Sequence, residues 1–74
     1  MRYNYMLKKL RTEKTLTQED LADVLHISRA AYCRYENESR EIPIALLIQL
    51  ADIYSTSTDY ILGRTKIKTP YPFK

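Results

Sequence analysis

The stretch LTQEDLADVLHISRAAYCRYEN, residues 16–37, holds two short helices and the break between them, and its reading decides the fold. Thr17, followed three residues on by Asp20, forms a capping-box signature with the aspartate as a short substitute for glutamate. Leu16 and Leu21 flank the cap as a hydrophobic staple. The spacing predicts a helix over 18–25 that buries Leu21, Ala22 and Leu25. His26, Ile27 and Ser28 then interrupt the pattern. Ser28 caps a second helix over 29–36, with Ile27 and Tyr32 repeating the staple. Wound at about 3.6 residues per turn, this helix turns Ala31, Tyr32 and Tyr35 inward. Arg29, Ala30, Cys33 and Arg34 share the opposite side, because 29 with 33 and 30 with 34 are one turn apart.

The flanking sequence continues in the same manner. One glycine and three prolines punctuate the chain, and strand-like alternation is scarce, so five short helices joined by tight turns are expected. The first covers about 5–14, with Asn4 as its cap and Leu7 and Leu10 as its inner face. After the polar loop ENESRE, Pro43 opens a fourth helix in its first turn, running to about residue 54. Its inner stripe is Ile44, Leu47, Ile48, Leu50, Ala51 and Tyr54, which leaves Leu46 and Ile53 partly off the stripe. Ser57 or Thr58 caps a fifth helix, TDYIL, which Gly63 ends. The remainder, RTKIKTPYPFK, is basic and has no period; a role in dimerisation or phosphate contact is weighed there against a frayed end.

Composition narrows the possible functions. At 74 residues the chain makes one small core, and such cores gain from a partner. A lone cysteine, Cys33, closes no internal disulfide, and with a single histidine, His26, no metal-ligand set and no cofactor are expected. Neither a glycine-rich phosphate loop nor a nucleophile with its base is present, so no catalytic site is expected. No apolar run reaches the roughly 18 residues of a membrane span, and the beginning lacks a secretory leader, so a soluble cytoplasmic protein is expected. The net charge is +3, unevenly spread: residues 1–14 carry +4, residues 64–74 another +4, and the middle −5. Arg29, Arg34 and Arg40 are the only cations of that middle part.

Two helices joined by a turn of three to four residues, the second turning polar side chains outward, make a helix-turn-helix. LRTEKTLTQEDLADVLHISRAAYCRYENESREIP, with LLIQLADIYSTSTDYILG after it, resembles the Cro and C1 repressor type, or xenobiotic-response-element type, of DNA-binding domain. The likeness runs from about residue 7 to residue 63. It implies an all-α, five-helix, lambda-repressor-like domain over 1–63 with a basic tail over 64–74, and a bacterial or phage transcriptional regulator, a repressor, that binds operator DNA. Base reading then falls to Arg29, Ala30, Cys33 and Arg34, and phosphate contact to Thr17, Gln18, Ser28, Asn37 and Arg40. Arg11 and Glu36 resemble the family's internal ion pair. The expected partners are double-stranded DNA, with the protein nucleoid-associated when bound, and a second copy of the chain.

Elementary chemistry agrees with that assignment. Arginine bonds guanine O6 and N7 at two points, and alanine meets a thymine methyl. One such helix covers only a few base pairs, so a twofold dimer is expected, meeting through Leu46, Ile53 and Tyr60 or the tail. The sequence departs from the family at His26 and Glu38, where glycine is usual. His26 can hold a turn at positive φ, whereas Glu38 sets a negative charge near the expected phosphate path. Glu38 and the modest net charge also suit an alternative reading, an antitoxin-like module that binds a partner protein first and DNA second.

Overall fold

The capping and apolar signals produce five helices in the computed structural model of the protein, which describes residues 3–70. They are α1 (Asn4–Glu13), α2 (Gln18–Leu25), α3 (Arg29–Glu36), α4 (Ile44–Ile53) and α5 (Thr58–Leu62). The described residues contain no strand. The capping box is complete: the Asp20 N–H donates to Thr17 Oγ1 at 3.0 Å and the Thr17 N–H to Asp20 Oδ2 at 2.9 Å. Ser28 and Ser57 cap α3 and α5 in the same way, each accepting an N–H at 3.0 Å.

All five helices end alike. A residue in the left-handed region follows each last turn, and the next N–H reaches a carbonyl five residues back. The closing bonds are Leu16 to Arg11, Ile27 to Ala22, Ser39 to Arg34, Thr56 to Ala51 and Arg64 to Asp59, between 2.8 and 3.1 Å. Glycine is the natural occupant of such a site, since it has no Cβ to clash. Only α5 has one, Gly63 at φ 80°. The other four are Thr15, His26, Glu38 and Ser55, at φ 60°, 60°, 71° and 52°.

Leu7 and Leu10 from α1, Leu21, Ala22 and Leu25 from α2, and Tyr32 and Tyr35 from α3 form one side of the core. Ile42, Leu47, Leu50, Ala51, Tyr54 and Ile61 close it from the other. Helix α3 packs on α1 and α2, and α5 on α1 and α4. The helix-turn-helix is therefore backed on its inner side by the first helix.

Three expectations are corrected. Asn4 is the first helical residue and not the cap, which is Tyr3 without a side-chain capping bond; Asn4 is buried and its Nδ2 donates to the Tyr35 carbonyl. Pro43 occupies the cap position of α4, extended at ψ 148°, one place before the first turn. On α4, Ile44 is 74% and Ile48 49% exposed, whereas Leu46 and Ile53 are half-buried against the core. The helix is apolar around nearly its whole circumference, so periodicity could not fix which side turns inward.

Beyond Gly63, residues 64–70 take no helix or strand but are held down. Thr56, 3% exposed, donates its hydroxyl to the Lys68 carbonyl, and Lys68 Nζ lies 3.6 Å from Glu13 Oε1. The YPF part of the tail lies outside the described residues. No helix among the described residues is long and apolar enough to cross a membrane.

Candidate nucleic-acid interface

Helix α3 divides into two functional sides. Tyr32, 0% exposed, and Tyr35 fix it to the core, while Arg29, Ala30 and Arg34 stand in solvent. Cys33 is half-buried at the boundary, where the Asn37 amide approaches its sulfur at 3.9 Å.

Behind the exposed side runs a chain of polar contacts that links three helices. Arg11, at the end of α1, donates Nε to Glu36 Oε2 at 2.7 Å and a second guanidinium N–H to Oε1 at 3.2 Å. Its remaining amino group reaches the Leu16 carbonyl at 2.9 Å. Gln18 Nε2 donates to Glu36 Oε1 at 3.1 Å, and Arg29 reaches Gln18 Oε1 at 3.5 Å, the long limit of a hydrogen bond. The resemblance pairs Arg11 with Glu36 and gives Gln18 a part in steadying α3; that its partner there is Glu36 has no signal in local spacing, because the bond joins one helix start to another helix end.

Electrostatics follow from this arrangement. Burial opposes ionisation of Glu36, yet the bonds from Arg11 and Gln18 and the neighbouring Tyr32 hydroxyl outweigh it and hold the carboxyl below its usual 4.5. The Arg11 guanidinium is correspondingly raised, its bond to Glu36 prevailing over burial. Burial, with Glu36 alongside, pushes the Tyr32 phenol well above its usual range, and the Tyr54 phenol up to about 12. Neither hydroxyl has a hydrogen-bond partner of good geometry among the described residues, although both lie in the field of the Arg11–Glu36 pair.

Arg11, Leu16, Thr17, Gln18, Glu19 and Arg29 line a concavity where α1, the start of α2 and the start of α3 converge. It offers an anion the first amides of α2, the Thr17 hydroxyl proton and the exposed Arg29 guanidinium, while Arg11 is engaged with Glu36 and the Glu19 carboxylate also lines it. Ser28 also keeps its hydroxyl proton for an outside acceptor, since its oxygen takes the Ala31 N–H. Asn37 is partly committed: its Oδ1 accepts the Ser39 N–H at 3.0 Å. Arg40 is exposed and held near the last turn of α3 by its N–H to the Arg34 carbonyl, 3.3 Å. Glu38 stands between these two, exposed.

The residues expected at a dimer contact differ from their neighbours on α4 in how far they are exposed. Leu46, Ile53 and Tyr60 are only half-exposed and pack against the core. The freely exposed apolar side chains of α4 are Ile44 and Ile48. Among the described residues no group of histidine, cysteine and carboxylate side chains is placed to hold a metal ion.

Comparison with known proteins agrees with this geometry. The sequence profile of the helix-turn-helix family matches residues 7–61. The uncharacterized HTH-type transcriptional regulator YobD of Bacillus subtilis (strain 168) is 41% identical over 68 residues, 92% of the chain and 61% of the relative. YqaE, another uncharacterized HTH-type transcriptional regulator of the same organism, is 48% identical over 56 residues, 76% of the chain and 48% of the relative. AnsR, an HTH-type transcriptional regulator of that organism, is 36% identical over 66 residues, 89% of the chain and 57% of the relative. The chain thus spans about half to three fifths of the length of these curated relatives. No solved structure matches it significantly.

Proposed function

The chain belongs to the helix-turn-helix family, and from that premise we propose that it is a sequence-specific DNA-binding transcriptional regulator, a cytoplasmic repressor that acts by occupying its operator. Helix α3 enters the major groove with Arg29, Ala30, Cys33 and Arg34 toward base edges. Thr17, Gln18, Ser28, Asn37 and Arg40 meet phosphates, and residues 64–74 form a basic tail outside the DNA-binding unit of 1–63. The observation that carries this reading is the division of α3, whose tyrosines are buried while its arginines stand exposed, Arg29 beside a concavity at the start of α2.

Phosphate contacts orient such a domain without specifying sequence, and base-edge contacts specify. A second copy on the same face of the duplex, about 34 Å away, completes the site. Selection of bound fragments from random DNA tests the reading. Recovered sequences should contain two related half-sites one helical turn apart. Arg34→Ala should reduce preference for them by about 1 to 3 kcal/mol while weakening nonspecific binding less. Equal loss on both kinds of DNA would remove base reading, and affinity insensitive to salt would remove the phosphate contacts.

A further inference from the structure

The exposed face of α4 consists of Ile44, Ala45, Ile48, Gln49 and Asp52. Two bare isoleucines one turn apart on an otherwise apolar helix mark a surface that gains by being covered. From residue 43 to residue 51 the chain carries no charge. That absence favours one occupant, because in a twofold contact every side chain on the axis meets its own copy and any charge there would repel itself. We propose that this face is where two copies of the chain meet, with their α4 helices antiparallel and the twofold axis at Ile48. The inference rests on the DNA-binding reading only in its purpose, since the two-half-site operator is incompletely read without the second copy.

The register follows from α4 itself. Ile48 lies midway between Ile44 and Asp52, so an axis at Ile48 sets Asp52 of each copy against the start of the other's α4. That start has no side-chain cap, Pro43 having none to offer, and it is flanked by the exposed Ile44 and Ala45. A carboxylate is the group a helix N-terminus attracts. The one charge on the face thus falls opposite a complementary partner, and Ala45 lets the two backbones come close. Leu46, Ile53 and Tyr60 are half-buried against their own core and lie outside this face.

Sedimentation equilibrium of the full chain, without DNA and then with duplexes carrying one or two half-sites, tests the proposal. The wild type should dimerise and bind the two-site duplex cooperatively. Ile48→Asp should remain monomeric at the same concentrations and lose about 100-fold in affinity for the two-site duplex, with binding to one half-site unchanged. Its melting temperature serves as the check on folding. Ile48→Cys gives an independent reading: oxidation should yield a covalent dimer that the wild type, with Cys33 alone, does not form. Dimerisation undiminished in Ile48→Asp overturns the interface, and so does a wild type that is monomeric both free and on the two-site duplex. A wild-type monomer that instead binds a different protein through this face also overturns it. Absence of sequence preference on any DNA would sink the regulator reading and leave the DNA-free sedimentation result as the measure of the interface.

Discussion

Arg11 and Glu36, 25 residues apart in the chain, meet in a two-point fork, 2.7 Å from Nε to one carboxylate oxygen and 3.2 Å from the outer guanidinium nitrogen to the other. With side chains 12% and 5% exposed, the pair joins the end of α1 to the end of α3, and through Gln18 it reaches Arg29. Removing one partner of a buried pair leaves the other charge uncompensated, which costs more than the pair itself contributes. Glu36→Gln should therefore destabilise the protein by about 3 kcal/mol in denaturant titration. Gln18→Ala should cost less stability and more DNA affinity, because it also removes the proposed phosphate contact.

The same fork sets a pH dependence. Glu36 titrates lower in the folded protein than its usual 4.5, so the folded state binds its proton less readily than the unfolded chain does. Its contribution to stability is complete above the unfolded value and is lost as pH falls through the folded one. Stability of the wild type should accordingly decline below about pH 4.5, and the gap between wild type and Glu36→Gln should close over that range. Glu13, also lowered by its bond to Lys9, is exposed on the surface and adds little. A gap that stays constant from neutral to acid pH would contradict the linkage.

Four of the five helix ends hold a left-handed residue that is not glycine. The conformation costs an L-residue roughly 1 to 2 kcal/mol, most at the β-branched Thr15. Glycine at 15, 26, 38 or 55 should raise the melting temperature by a few degrees each, with Thr15→Gly giving the largest gain. Glu38→Gly has a second effect, since it also removes an acid from the proposed phosphate path. Tighter DNA binding at low salt, converging with wild type as salt rises, is the expected signature.

The tail is held by the Thr56 hydroxyl on the Lys68 carbonyl. Thr56→Val keeps the shape and removes the donor, which should cost about 1 kcal/mol. Hydrogen exchange should show residues 64–70 losing protection while α1 to α5 keep theirs. Loss of protection throughout the core would mean that the tail is integral to the fold.

The sequence carried most of the helix ends, because a cap is a local event: Thr17, Ser28 and Ser57 each bond within three residues. Asn4 was misjudged for the opposite reason, since the carbonyl it serves belongs to Tyr35, 31 residues away. Helix α4 defeated periodicity by being apolar on nearly every side, so Ile44 and Ile48 were placed inward and Leu46 and Ile53 outward. His26 and Glu38 stood out against a familiar pattern, whereas Thr15 and Ser55 did not, although all four adopt the same backbone. The exposed arginines of α3 followed from helical spacing; the Gln18–Glu36 contact behind them required the packed structure.

Within α3 the residues that hold the helix and those that face outward are almost separate populations. Tyr32 and Tyr35 carry the attachment, while Ala30 and Arg34 stand clear of the core. The proposed base-reading positions 30 and 34 should therefore tolerate exchange among helix-compatible side chains at little cost to folding, and 29 at the loss of a long bond to Gln18. Cys33, half sunk beside Asn37, is the exception, where replacement also disturbs that contact. On the proposed reading, a lineage built on this scaffold would change its operators quickly at three of these positions and slowly at the fourth.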